Sequence, residues 1–242
     1  MDDEIDQLLK SLRLQRMREV FDREIARATT SGSSFRDLVA GLLREQLAYQ
    51  RQQSFEYRVK VSRLPERWSL DTFPFDRQPG VNRTQIQQLG QLDFVPKAEN
   101  LVFIGPTGVG KTGLAMGILL RALQNGDRGL FISAPQLFDD LFTSLADKST
   151  RKLLTQLETF PVLLIDELSY LDLRPEQTNL FFRLMERRYG RTSTIITTNL
   201  DYDDWYGFLG RKEMVGALLD RLRHRCTTIR IDGPSLRQPS SE

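Results

Sequence analysis

Residues 101–116 read LVFIGPTGVGKTGLAM, an apolar run that meets a glycine-rich turn and continues into a helix-forming segment. The turn fills the pattern G-x-x-x-x-G-K-T with Gly105, Gly110, Lys111 and Thr112. The pattern constrains the fold tightly, because it works only as strand, loop and helix in that order. Leu101 to Ile104 suit a buried parallel strand. From Gly105 through Pro106, Thr107, Gly108, Val109 and Gly110 the backbone is free to turn sharply, so that N–H groups converge on one concavity. A helix starting near Lys111, with Gly113 in its first turn, adds the positive end of its dipole. The Lys111 ammonium suits β- and γ-phosphates, and the Thr112 hydroxyl suits Mg²⁺. A nucleoside triphosphate site over residues 105–113 is the expectation.

From residue 101 onward apolar β-type runs recur at 101–104, 129–133, 162–165, 194–198 and 227–231. Helical stretches fill about 111–124, 135–159 and 175–189, with Pro175 suited to a first helical position and Gly126 and Gly190 to helix ends. Five strands with intervening helices imply an α/β fold with an open five-stranded parallel sheet. Residues 1–63 read instead as helices. Ile5, Leu8, Leu9, Leu12, Met17, Val20, Phe21 and Ile25 form one helical stripe that the sequence breaks at Thr29 to Ser33. Ser34 and Asp37 form a capping pair for a second helix running past Tyr57. Pro65, Pro74, Pro79 and Gly80 mark a linker and docking segment, taken as 64–100, before an ATPase core at 101–242.

Bulk composition excludes several classes. The 34 basic residues nearly balance the 32 acidic ones, so any nucleic-acid surface must come from distribution rather than net charge. Cys226 has no second cysteine to pair with, and His224 alone does not complete a zinc site. The opening MDDEIDQLL is acidic without an apolar core, which argues against a secretory signal. No apolar run is long enough for a membrane span. A soluble, cytoplasmic protein is expected.

Around the phosphate loop the chemistry-bearing residues fall at strand ends. Val162-Leu-Leu-Ile-Asp166-Glu167 is a buried strand ending in two carboxylates. Asp166 suits Mg²⁺, and Glu167 suits the general base that polarises the attacking water. STIITTN places Asn199 at another strand end, where ligands of open α/β sheets bind. There Asn199 would orient the water near the γ-phosphate. Arg221 precedes the last strand and suits a trans arginine reaching a neighbouring subunit's γ-phosphate, with Arg223 and Arg225 as competitors. Arg237 follows that strand and suits phosphate in cis. Asn199-Leu200-Asp201 lacks the lysine of the guanine-reading N-K-x-D pattern, so ATP is expected rather than GTP.

LKSLRLQRMREVFD, DTFPFD, NLVFIGPTGVGKTGLAM, LLIDELSYLDL, TTNLDYDDW and LLDRLRH together resemble the IstB-type AAA+ ATPases, over about residues 5–237. These are helpers of bacterial insertion-sequence transposition, related to the DnaC-type helicase loaders. The resemblance implies an AAA+ core, an N-terminal helical DNA-binding region, and ATP-driven homo-oligomers on double-stranded DNA that recruit or stimulate a transposase. It makes Asn199 the first sensor, Arg237 the second, and Arg221 the residue completing a neighbour's site. It also places Phe73, Phe75 and Asp76 near the adenine. AAA+ proteins usually carry a helical lid after the second sensor, whereas only QPSSE follows Arg237 here, and Leu236 replaces the family's aromatic residue.

Three basic stretches are candidates for DNA: Arg51, Arg58, Lys60, Arg63 and Arg67; Lys148, Arg151 and Lys152 around the helix break DKSTRK; and Arg183, Arg187, Arg188 and Arg191, with Arg187 and Arg191 on one helix face. Tyr49, Phe55, Tyr57 and Trp68 are interleaved with the first stretch and are expected to dock against their own domain rather than stack on bases. No sequence-reading module is evident, so backbone and shape recognition are expected. A DnaC-like loader acting on single-stranded DNA and a hexameric helicase is the alternative. A small-molecule kinase would need neither Asn199 nor Arg221, and a non-catalytic scaffold would not need Lys111, Asp166 and Glu167 together.

Overall fold

A computed structural model describes residues 3–169, 171–210 and 212–237. The chain divides into two compact units, Met1–Tyr57 and Arg58–Glu242.

The first unit is helical. α1 (Asp3–Ser11) and α2 (Gln15–Ser31) are separate helices, so the single stripe expected across this region is interrupted at residues 12–14, where Arg13 takes φ 57°. Leu12 and Leu14 carry no breaker chemistry, which is why the interruption is silent in the apolar pattern. α2 continues through Thr29 and Thr30, whose hydroxyls donate to the Ile25 and Ala26 carbonyls, and stops at Gly32 in the left-handed region. α3 (Phe35–Val61) begins where Ser34 Oγ accepts the Asp37 N–H. Cross-helix polar contacts pin the three: Arg18 to Asp6 at 2.6 Å, Arg16 to Glu45 at 3.0 Å, and the Met17 N–H to Gln46 Oε1 at 3.1 Å.

The second unit is an α/β sandwich. After α4 (Arg83–Leu89) come β1 (Asn100–Ile104), α5 (Lys111–Asn125), β2 (Gly129–Ser133), α6 (Ala134–Ala146) and α7 (Thr150–Glu158). They are followed by β3 (Val162–Asp166), α8 (Pro175–Arg188), β4 (Ser193–Thr198), α9 (Trp205–Phe208), α10 (Lys212–His224) and β5 (Cys226–Arg230). The sheet is wholly parallel, in the order β2-β3-β4-β1-β5. The expected five-stranded parallel sheet is therefore present, each strand within a residue of its apolar run. The helical stretch expected over 135–159 is two helices, with the expected break at DKSTRK, where Lys148 takes φ 59°.

Strand periodicity builds the two faces. Val102, Ile104, Leu163, Ile165 and Ile196 point to one side, under α6, α7, α8 and α10. Leu101, Phe103, Val162, Leu164, Ile195 and Ile229 point to the other, under α5. That second face is closed by the proline-rich segment, which is docked rather than loose: Leu70, Phe73, Val81, Ile86, Leu92 and Phe94 are all buried in it. Each such side chain contributes about 1.5–3 kcal/mol when removed from water.

Candidate ATP site

The strand order brings the carboxyl ends of β1, β3, β4 and β5 to one edge of the sheet, where open α/β folds bind ligands. The loop between β1 and α5 needs its glycines. Gly108 and Gly110 take φ 88° and 96°, and a Cβ at Gly105 would fall on the Ile231 carbonyl. Lys111 Nζ donates to the Gly105 and Pro106 carbonyls, each at 2.7 Å, so the ammonium lies folded over the loop. Burial holds it below its ordinary range, against the opposing pull of Asp166 and Glu167.

Asp166 is buried, and its Oδ1 accepts hydroxyl protons from Thr112 at 2.9 Å and Thr197 at 2.5 Å. Among the described residues it makes no ion pair. A buried carboxylate beside a loop threonine, satisfied only by hydroxyls, fits a hard cation that takes its remaining ligands from phosphate and water. Among the described residues there is no cluster of three acidic, His or Cys side chains that would make an all-protein metal cage.

The chain turns sharply after Asp166. Glu167 takes φ 60°, a region disfavoured for a residue with a Cβ. Its N–H donates to Thr197 Oγ1 at 2.9 Å, and the Leu168 N–H donates to the Thr197 carbonyl at 2.9 Å. Thr197 thus holds both acids, sending Asp166 inward and leaving Glu167 exposed toward the cavity. The sequence reading missed Thr197. Its only signal was a polar residue inside the STIITT strand, one position before the strand's end.

Glu167, Asn199, Lys111, Thr112 and Arg237 all line one cavity of about 720 Å³. Its polar lining includes Glu167, Thr197 and Asn199, and its apolar lining Pro65, Trp68, Phe73, Pro74, Met116 and Leu236. Phe73 borders the cavity as the resemblance implied. Phe75 and Asp76 do not: Phe75 lies in a separate hollow under Arg83, and Asp76 is solvent-exposed. Trp68 is only partly covered: it is 37 % exposed, yet it packs over Gly113 at the start of α5, docked against its own unit as expected. Tyr57 is 67 % exposed, against the expected docking role.

Arg221 lies outside this cavity. It sits on α10 beside a separate apolar hollow of about 360 Å³, half-exposed, with Glu186 at 3.7 Å. Its two competitors are engaged elsewhere: Arg223 lies 5.2 Å over the Tyr202 ring, and Arg225 donates to the Lys97 carbonyl.

Of the basic stretches, Arg51, Lys60, Arg63, Lys148, Arg151 and Lys152 are exposed. Arg58 departs from the expectation for a DNA contact: it is half-buried and its Nε donates to the Leu123 carbonyl at 2.8 Å, near the end of α5. Arg188 departs further. It is 1 % exposed, with Nη1 donating to the Leu157 and Phe160 carbonyls, Nη2 to the Ser193 carbonyl and Nε to Thr194. Burial pushes its guanidinium down to about 9, which leaves it charged at neutral pH. Arg187 pairs with Glu158 at 3.1 Å, and Arg191 lies in the turn after α8 rather than on its face.

A family model described as "IstB-like ATP binding protein" matches residues 7–242. The chain belongs to the IstB-like ATP-binding family. It is 34 % identical over 234 residues to the insertion sequence IS21 putative ATP-binding protein of Pseudomonas aeruginosa, covering 97 % of this chain and 88 % of that one. It is 32 % identical to the insertion sequence IS5376 putative ATP-binding protein of Geobacillus stearothermophilus, over 98 % and 94 % of the two chains. Among solved structures it is similar to the DnaC helicase loader, with TM-score 0.58 and 27 % identity over 68 % of this chain and 96 % of that one. The replication initiator DnaA bound to AMPPCP and single-stranded DNA shares the fold, with TM-score 0.60 at 16 % identity over 71 % and 52 % of the two chains. This IstB-like protein is thus an ATPase of the AAA+ P-loop class, with ATP as its ligand. No described helix is long and apolar enough to cross a membrane.

Proposed function

We propose that this IstB-like ATPase is an oligomeric helper of DNA transposition, which binds and remodels double-stranded target DNA and recruits or stimulates a transposase. Support for the setting comes from relatives named for insertion sequences. The observation that carries the oligomeric reading is Arg221: exposed, loosely partnered and outside its own ATP cavity. A trans arginine of this kind contributes about a thousandfold or more to hydrolysis.

In this reading the base lies at the aromatic end of the cavity and the γ-phosphate at the Glu167 end. Lys111 leaves its two carbonyls for the β- and γ-phosphates. Thr112 and Asp166 would hold Mg²⁺, which would supply positive charge against the charge developing on the phosphates. Asn199 orients a water, Glu167 takes its proton as the oxygen attacks the γ-phosphorus, and the bond to the β-phosphate oxygen breaks to give ADP. Arg237 contacts phosphate in cis. Arg51, Lys60, Arg63, Lys148, Arg151 and Lys152 meet DNA phosphates, and repetition across an oligomer makes individually weak contacts add through counterion release. ATP favours the assembled state, and hydrolysis withdraws that coupling.

The likeness to the DnaC loader supports a second reading, a loader acting on single-stranded DNA and a helicase. Sedimentation with a long duplex or an equal-length single strand, with ATP, a slowly hydrolysed analogue or no nucleotide, separates the two. Nucleotide-dependent assemblies on the duplex are expected, and Lys111→Ala should abolish them. Assembly confined to the single strand would favour the loader.

A further inference from the structure

The segment after β5 is laced onto the phosphate loop. The Ile231 N–H donates to the Ile104 carbonyl at 2.9 Å, and the Leu236 N–H donates to the Gly108 carbonyl at 2.9 Å. Between these two backbone bonds the fastening comes from elsewhere in the chain. Gln78 is fully buried, and its Nε2 donates to the Val109 carbonyl at 3.2 Å and to the Pro234 carbonyl at 2.9 Å. One carboxamide therefore joins the docking segment, the phosphate loop and the strap that carries Arg237. Two glycines allow the close approach: a Cβ at Gly233 would fall on Gln78 Oε1, and one at Gly80 on the Asp232 carbonyl.

Gln78 Oε1 is buried without a hydrogen-bond partner among the described residues. An unpaired buried amide oxygen is destabilising, so Gln78 carries that cost alongside the two bonds its nitrogen makes. What a glutamine supplies is two donors on one nitrogen, matched to two carbonyls. Glutamate would set a carboxylate against the same two oxygens, and methionine would fill the volume without donating.

We infer that Gln78 is the positioning residue for Arg237, clamping the strap to the phosphate loop so that the guanidinium faces the terminal phosphate of ATP from its own chain. Arg237 and Lys111 line the same cavity. Two cations converging on one anion need an external constraint, because they repel each other before the anion arrives. The Gln78 clamp supplies that constraint. The inference rests on the cis role of Arg237 given above.

The test compares equilibrium affinities for ATP and ADP in the wild type, Gln78→Met, Arg237→Ala and the double variant. Arg237→Ala should lower the preference for ATP over ADP about tenfold, the effect of one charge-assisted contact to the γ-phosphate. Gln78→Met should lower it roughly three- to tenfold, and the double variant should fall no lower than Arg237→Ala alone. Gly233→Ala, which presses on the clamp with Gln78 intact, should give the same signature if Gln78→Met folds poorly. A merely structural glutamine predicts equal loss for ATP and ADP, and that result, or full additivity in the double variant, overturns the clamp while leaving Arg237 its role. An unchanged preference in Arg237→Ala removes the cis role itself, and the clamp's purpose with it.

Discussion

In the ATPase unit Leu101, Phe103, Ile165 and Phe181 are wholly shielded from solvent, whereas in the helical unit Phe35 is 89 % exposed and Val39, Leu43 and Leu47 are about half-exposed. Those four residues recur every fourth position along α3 and so form one ridge on one face. The helical unit buries only Leu9, Val20, Leu42 and the amide of Gln46 among its described residues up to Tyr57, and is otherwise fastened by polar cross-links such as Arg18–Asp6. Those links are solvent-exposed ion pairs, whose attraction water screens. In the ATPase unit, by contrast, even the polar residues are internal: Asp166, Thr197, Gln78 and Arg188 are all buried. The difference teaches where precision is needed. Chemistry requires side chains held by their neighbours, while the helical unit keeps apolar surface in contact with water.

The largest expected effect tests whether catalysis resides wholly in the packed unit. Glu167→Gln should slow ATP hydrolysis about 10²–10⁴-fold, the range for losing a general base, with ATP affinity retained. Wild-type turnover would remove Glu167 from that role. Arg188→Ala comes next. It strips donors from the Leu157, Phe160 and Ser193 carbonyls at once and leaves a void, at a cost of about 3 kcal/mol or more. For a unit of this size that is a fall in melting temperature of about 6–12 °C. A drop under about 2 °C would mean that Arg188 is not the internal strut described here. Thr197→Val should then cut turnover by about tenfold with little change in ATP affinity, because it frees the Asp166 carboxylate and the strained Glu167 turn. Unchanged turnover in that variant would show the turn to be held by the Leu168–Thr197 backbone bond alone.

Legibility in the sequence follows the same division between local and distant causes. The strands were legible because a parallel strand buried on both faces is a continuous apolar run between turn residues, and the phosphate loop because its glycines and lysine are adjacent in the chain. Gln78 and Arg188 were not. Gln78 is defined by carbonyls at residues 109 and 234, and Arg188 by carbonyls at 157, 160 and 193. Backbone carbonyls leave no mark in a sequence, so Arg188 read as one more member of a basic run. The separation of α1 from α2 was hidden for a related reason: a leucine on each side of Arg13 continues the apolar pattern through a left-handed residue. α10, which carries Arg221, was also not assigned as a helix, although its LLDRLRH stretch was singled out.

The smallest effect is the one that most directly tests the contrast between the two units. Phe35→Ala and Phe138→Ala delete the same ring, one from the first residue of α3 and one from a fully packed site on α6 against Phe181. At Phe138 the transfer and cavity terms add to about 3–5 kcal/mol. At Phe35 there is almost no buried area to lose, and alanine is the better helix former by a few tenths of a kcal/mol, so the net change should stay within about 0.5 kcal/mol. Thermal unfolding of the two variants, followed by far-ultraviolet circular dichroism at low protein concentration, measures the difference. If Phe35→Ala destabilised the protein as much as Phe138→Ala, the ridge on α3 would have to be covered in solution, and the helical unit would owe its fold to burial after all.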